Sequence, residues 1–231
     1  MNQQQINPYL FAPKSCEASS FSPLMFITPQ VSADEVVALT EAFIRGGGRW
    51  VQLRLKDITR DVRIDAGRRL FDVCRTHGAV CIINDSAEVA LELGAHGVHL
   101  GKCDMPVPQA RRMMGDDAII GGTANTLDDM IRLAEEGVDY IGLGPFRFTT
   151  TKKNLSPVLG LEGYTCLMAE FRQRGYTLPV TAIGGIVAND IPELMHTGIS
   201  GVAVSGVIAG HSQPDIMTEQ MLKLISSGGE K

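Results

Sequence analysis

Several features that would assign this chain to a compartment or a partner are missing from it. Its five cysteines (Cys16, Cys74, Cys81, Cys103 and Cys166) are odd in number and contain no Cys-x-x-Cys pair, which argues against a disulfide framework or a structural zinc site. No apolar run reaches the roughly 18 residues of a membrane-span candidate. The N-terminus also lacks a basic segment followed by an apolar one. Positive charge is not in excess: 21 Lys and Arg stand against 26 Asp and Glu, a net charge of -5. That balance excludes the sequence-independent phosphate attraction of a nucleic-acid binder. A soluble, cytoplasmic protein with no nucleic-acid or membrane partner is expected, and any anion site must be local.

What is present is a repeated strand-helix grammar in a chain of 231 residues, long enough for a sizeable core. Residues 1–23 are rich in Gln, Asn, Ser and Pro without an apolar period, and read as an N-terminal arm; residues 24–231 form the folded domain. Leu24 to Thr28 predicts a buried strand ended by Pro29. Ser32 then predicts an N-cap with Glu35 three residues on, and Gly46, Gly47 and Gly48 stop the helix. Further strands are expected at Trp50 to Leu55, Ala79 to Ile83, Val98 to Leu100, Ile119 to Gly121, Tyr140 to Leu143, Val180 to Ile183 and Val202 to Val204. Helices are expected at Thr59 to Thr76, Ser86 to Leu93, Pro108 to Met114, Leu127 to Glu136, Gly163 to Arg174, Ala188 to Thr197 and Pro214 to Ser226. Three segments, 93–101, 136–144 and 197–206, repeat one unit, a glycine-capped helix end feeding a short buried strand. Eight apolar strands alternating with eight helices favour an α/β fold of the single-domain (β/α)8 TIM-barrel kind.

In that architecture chemistry sits at strand C-termini. Gln52, Arg54 and Lys56 alternate after strand two, so their side chains are expected on one inward face. The cluster fits either a salt bridge to a neighbouring carboxylate or a bound anion. Strand three ends in Asn84-Asp85 and strand four in Gly101-Lys102-Cys103-Asp104, so Asp85 and Asp104 are expected to converge. They would neutralise the basic cluster or hold Mg²⁺, which takes one or two carboxylates with phosphates and water. Strand five ends Gly121-Gly122-Thr123, where the glycines are expected to let backbone approach a ligand. Gly184-Gly185 and Ser205-Gly206, after strands seven and eight, predict a backbone phosphate site. Two anion sites suit two small phosphorylated substrates. The loop after strand six, with Thr149, Thr150, Thr151, Lys152 and Lys153, is either a solvated connection or a phosphate-binding one. His99, inside strand four, reads as a hydrogen-bonded core residue, Met113, Met114, Met168 and Met195 read as core filling, and no nucleophile-base pair is readable.

Gln52-Leu-Arg54-Leu-Lys56, Ile83-Asn84-Asp85, Gly97-Val-His-Leu-Gly101 with Asp104, Gly142-Leu-Gly-Pro-Phe with Thr149-x-Thr151-Lys152, and Ala182-Ile-Gly184-Gly185-Ile resemble the thiamine-phosphate synthase family, in order, from about Leu24 to Gly210. The resemblance implies a transferase of thiamine biosynthesis that joins 4-amino-5-hydroxymethyl-2-methylpyrimidine diphosphate to thiazole phosphate, giving thiamine phosphate and pyrophosphate with Mg²⁺. It implies that Gln52, Leu53, Arg54, Leu55, Lys56, Asn84, Thr123 and Lys152 bind the pyrimidine diphosphate. Of these, Arg54, Lys56, Thr123 and Lys152 would serve catalysis. Asp85 and Asp104 would hold the metal. Thr149, Thr150, Thr151, Gly185, Ser205 and Gly206 would hold the thiazole phosphate. The chain departs from the family pattern at Leu55, at Lys102-Cys103 in place of Gln-Glu, at Thr123 for Ser, at Asn125 for His and at Phe148 for Pro. Lys102 is expected to add charge near the metal site. A thiazole-tautomerase-like paralogue, which relies on a histidine near position 125, and a non-catalytic phosphate sensor are the alternatives. Whether the barrel works alone or as a homo-oligomer is left open.

Overall fold

The computed structural model describes residues 22–56, 58–148 and 157–228. Eight parallel strands close on themselves in chain order: β1 (Leu24–Ile27), β2 (Trp50–Leu53), β3 (Val80–Asn84), β4 (Gly97–Leu100), β5 (Ile119–Ala124), β6 (Tyr140–Leu143), β7 (Val180–Ile183) and β8 (Gly201–Val204). β8 pairs with β1 through Leu24 and Val202, which closes the (β/α)8 barrel. The helices are α1 (Ala33–Arg45), α2 (Arg60–Thr76), α3 (Ala87–Leu93), α4 (Val107–Met114), α5 (Leu127–Glu136), α6 (Gly160–Gln173), α7 (Ile191–His196), α8 (Gly206–Ala209) and α9 (Pro214–Gly228). Among the described residues no helix is long and apolar enough to cross a membrane.

Local chemistry explains where most of these elements begin. Ser32 and Glu35 form the expected capping box at α1, Thr59 caps α2, and Ser86 caps α3. Two boundaries differ from expectation for identifiable reasons. β2 stops at Leu53 because the Arg54 amide donates to the Thr28 hydroxyl at 2.9 Å rather than to a strand carbonyl. β5 runs on to Ala124, through the glycines expected at its end. The short α8 adds to the eight helices expected, and the helix expected from Ala188 opens as a 3₁₀ turn at Ala188–Asp190 before α7.

Side-chain alternation along each strand divides the core in two. Outward residues such as Phe26, Val51, Leu53, Ile83, Val98, Ile120, Leu143 and Val202 pack under the helices. Met25, Ile27, Trp50, Ile82, Tyr140 and Ala203 fill the barrel interior. Gly121 and Gly122 serve this packing, which corrects their expected role in approaching a ligand. A Cβ on Gly121 would lie 2.1 Å from the Tyr140 ring, and one on Gly122 would lie 2.4 Å from Leu133. Met114 and Met168 are buried as expected, whereas Met113 is exposed.

Candidate active site

At the C-terminal end of the barrel a chain of polar side chains rises from the apolar floor. Gln52 is buried and hydrogen-bonds both the Met25 sulfur, at 3.3 Å, and the Tyr140 hydroxyl. Tyr140 meets His99 Nδ1 at 3.0 Å, and His99 Nε2 meets the Thr123 hydroxyl at 3.0 Å. Burial raises the Tyr140 phenol far above its ordinary range, against the opposing Gln52 bond, so it stays protonated. His99 is thus the hydrogen-bonded core histidine expected, with a further consequence: it fixes the rotamer of a hydroxyl at the mouth. Tyr140 is the member that the sequence reading missed, although its inward place on β6 follows from strand alternation.

Gln52, Arg54 and Lys56 alternate with the outward-packed Leu53 and Leu55 but differ in depth. Gln52 is buried, Arg54 half-buried and Lys56 exposed on the rim. The strand ends between them, and the backbone of Lys56 is held by the Gln30 side chain at 2.8 Å and 2.7 Å. Lys56 Nζ lies 3.1 Å from Asp85. Leu53 and Leu55 are buried in the outward core, and their side chains therefore face away from the mouth. Asn84 is half-buried and in register with His99.

Asp85 and Asp104 do converge. Asp85 holds φ +70°, unlike every other described non-glycine residue; aspartate tolerates this left-handed conformation better than most residues. Its amide donates to the His99 carbonyl at 2.8 Å, which ties the end of β3 to β4. Asp104 accepts the Gly101 N–H at 2.6 Å. Its carboxyl is raised above the usual range by burial first and then by the Asp85 carboxylate, with the Gly101 bond and Lys56 opposing. Two carboxylates this close would suit a cation. No group of three or more His, Cys, Asp or Glu residues suited to a metal exists among the described residues. A site of two carboxylates matches Mg²⁺ completed by phosphate and water better than an all-protein cage.

Lys102 does not add free charge to this site. Its ammonium pairs with Asp129 at 2.6 Å, and Asp129 also accepts the N–H groups of Asn125 and Thr126 at 3.0 Å and 3.1 Å. Asn125 donates its side-chain amide to the Gly144 carbonyl, joining the ends of β5 and β6. Across the mouth, Gly184 and Gly185 turn with φ +102° and +70°, a backbone path that glycine adopts without strain. Ser205 and Gly206 begin α8, and a Cβ on Gly206 would meet nothing within 4 Å. Thr149, Thr150, Thr151, Lys152 and Lys153 lie outside the described residues.

Comparison with known proteins assigns the lineage. A family model described as thiamine monophosphate synthase matches residues 24–208. The chain is 46% identical over 201 residues to a thiamine-phosphate synthase of Bacteroides fragilis, covering 87% of this chain and 98% of that one. A thiamine-phosphate synthase of Flavobacterium psychrophilum is 38% identical over 203 residues, with 88% and 98% covered. Among solved structures, thiamine phosphate pyrophosphorylase from Pyrococcus furiosus superposes with a TM-score of 0.76 at 28% identity, covering 89% of this chain and 96% of that chain. With a matched barrel, a paired-carboxylate mouth and relatives of this similarity, the chain belongs to the thiamine monophosphate synthase family.

Proposed function

We propose that this protein is a transferase that condenses 4-amino-5-hydroxymethyl-2-methylpyrimidine diphosphate with thiazole phosphate, releasing pyrophosphate and forming thiamine phosphate. The observation that carries the reading is the Asp85–Asp104 carboxylate pair with Lys56 beside it, at the mouth of a barrel 46% identical to a thiamine-phosphate synthase. Asp85 and Asp104 would hold Mg²⁺, which when bound neutralises charge on the departing diphosphate. Arg54 and Lys56, with Lys152, supply further positive charge to the diphosphate. Asn84 and the hydroxyl of Thr123, with Gln52 on the floor below, orient the pyrimidine ring. Leu53 and Leu55 act as packing that holds the β2 end in place.

The chemistry explains why no nucleophile-base pair is needed. When the C–O bond to diphosphate ionises, the aminopyrimidine delocalises the cation, and the thiazole nitrogen attacks through a lone pair that carries no proton. The protein's tasks are to stabilise the leaving group and to hold the two rings in line. Gly185, Ser205 and Gly206, with Thr149, Thr150 and Thr151, take the thiazole phosphate, a position where barrels of this kind bind phosphate. The His99–Thr123 bond supports this division, because it presents a fixed hydroxyl rather than a mobile base. Free thiols at Cys74, Cys81, Cys103 and Cys166 suit the reducing cytoplasm we assign to the protein.

Incubation of the purified protein with both substrates tests the reading. Pyrophosphate is expected only when both substrates and Mg²⁺ are present, and a chelator should abolish its release. Tight thiazole-phosphate binding without any pyrophosphate would point to a sensor instead.

A further inference from the structure

The loop leaving β6 and the turn leaving β7 are joined by one side chain that has no part in the chemistry described above. Phe146 donates its N–H to the Ile183 carbonyl at 2.8 Å, and Arg147 donates its own to the Gly184 carbonyl at 2.9 Å, so the two segments run side by side beyond the strand ends. The Arg147 guanidinium then crosses to the turn. Its Nη1 donates to the Gly185 carbonyl at 2.6 Å, and Nη1 and Nη2 each reach one Asp190 oxygen at 2.9 Å. Its carbon lies 5.0 Å from the centre of the Phe146 ring. Asp190 Oδ2 also accepts the Val187 N–H at 2.8 Å.

These bonds fasten the segment from Gly185 to Asp190 at three points: a carbonyl, an amide and a carboxylate. A fork that grips both carboxylate oxygens fixes direction as well as distance. Because a trans peptide is planar, holding the Gly185 carbonyl on Arg147 directs the Ile186 N–H to the opposite side. Among the described residues, the N–H groups of Gly185 and Ile186 have no protein acceptor. The guanidinium charge, in contrast, is already matched by Asp190, whose side chain is only 14% exposed. The clamp therefore leaves amide donors free at the turn and keeps the cation occupied.

We infer that Arg147, locked on Asp190, is a positioning residue that sets the Gly184–Ile186 turn and so controls capture of the thiazole phosphate without touching it. The inference rests on the reading that this turn receives that phosphate. Close contact supports it: a Cβ on Gly185 would lie 3.0 Å from Arg147 Cβ and 3.3 Å from the Phe148 carbonyl oxygen, so the turn is seated against the residues that carry the clamp. A lysine at position 147 would keep the charge but lose the fork and the simultaneous reach to the Gly185 carbonyl.

The test compares Arg147→Met, Arg147→Lys and Asp190→Asn with the unaltered protein. Calorimetric affinity for thiazole phosphate, KM for each substrate, kcat and melting temperature are all measured. Arg147→Met and Asp190→Asn should weaken thiazole-phosphate affinity by about tenfold or more. KM for the pyrimidine diphosphate should move by less than about twofold, and kcat less than the thiazole-phosphate KM. Arg147→Lys should behave like Arg147→Met. Asp190→Asn retains an oxygen for the Val187 N–H and is the variant expected to fold if Arg147→Met does not.

Wild-type affinity in Arg147→Lys would overturn the inference, because charge alone would then suffice. Equal shifts in both KM values, or no shift in thiazole-phosphate affinity, would also overturn it, the first by indicating a merely structural role. An unaltered protein that binds no thiazole phosphate overturns the functional reading itself, and the inference falls with it; one that binds while all variants bind equally overturns the inference alone.

Discussion

Asp85 serves two purposes that pull against each other. Its backbone is held at φ +70° and its carboxylate faces both Lys56, at 3.1 Å, and Asp104. The ion pair with Lys56 is half-exposed and contributes little to stability, so the positive φ is better explained by placement of the carboxylate than by folding. Asp85→Asn should raise the Mg²⁺ concentration for half-maximal pyrophosphate release by about tenfold or more, as expected when one of two metal carboxylates is lost. Arg54→Ala should instead lower kcat/KM for the pyrimidine diphosphate on the order of 10²-fold with thiazole-phosphate affinity retained. If Arg54→Ala changed thiazole-phosphate affinity alone, the division into two anion sites would be reversed. At this scale the expected approach of Asp85 to Asp104 was legible, because both follow the ends of adjacent strands. The sequence misled at Lys102, because a lysine beside an acidic motif does not reveal that Asp129, on the next helix, will claim it at 2.6 Å.

β5 shows how an element passes a packing constraint into a site. Gly121 and Gly122 lie within the strand rather than at its end, and the space above Gly121 belongs to the Tyr140 ring. Tyr140 in turn holds His99, and His99 holds Thr123. Gly121→Ala would force its new methyl group against that ring, and overpacking of this kind costs about 1–3 kcal/mol. For a chain of this length that is a fall in melting temperature of about 2–12 °C. A displaced Tyr140 would also disturb Thr123, so KM for the pyrimidine diphosphate should rise more than KM for thiazole phosphate. Thermal melts and steady-state kinetics on this one variant check both parts. Unchanged kinetics alongside the lower melting temperature would separate the interior chain from the chemistry. The helices were more legible than this strand, since the Ser32–Glu35 box and the Thr59 and Ser86 caps are written in adjacent residues. Whether a glycine in a strand marks a ligand or an aromatic neighbour depends on a different strand.

Over the whole molecule, the mouth is bound together by side chains that reach from one βα loop to the next: Gln30 to Lys56, Lys56 to Asp85, Lys102 to Asp129, Asn125 to Gly144 and Arg147 to Asp190. Burial pushes the Asp129 and Asp190 carboxyls up, but Lys102 and Arg147, with the capped N–H groups, outweigh it and leave both below the ordinary carboxylate value. A depressed folded-state value means that their stabilisation is fully present above about pH 4, where the unfolded carboxyl is ionised. It is lost as pH falls through the lower folded-state values. Asp129→Asn should therefore cost about 1–2 kcal/mol at pH 6, the scale of a charge-assisted hydrogen bond, and the difference from the unaltered protein should shrink toward pH 2.5. Denaturant unfolding at the two pH values measures this, and a difference independent of pH would remove the ion-pair explanation.

The sequence by itself determined the eight-fold strand-helix alternation, the helix starts and the strand ends at which polar residues emerge. These depend on periodicity and on contacts within a few residues, which the order of side chains records directly. Only the tertiary structure decided which carboxylate meets which cation, why Gly121 lies under the Tyr140 ring, and how Arg147 comes to hold Gly185 and Asp190. Those pairings exist because the closed barrel brings loops from separate βα units within hydrogen-bonding distance, and no local pattern encodes a contact whose partner is fixed by the closure of the sheet.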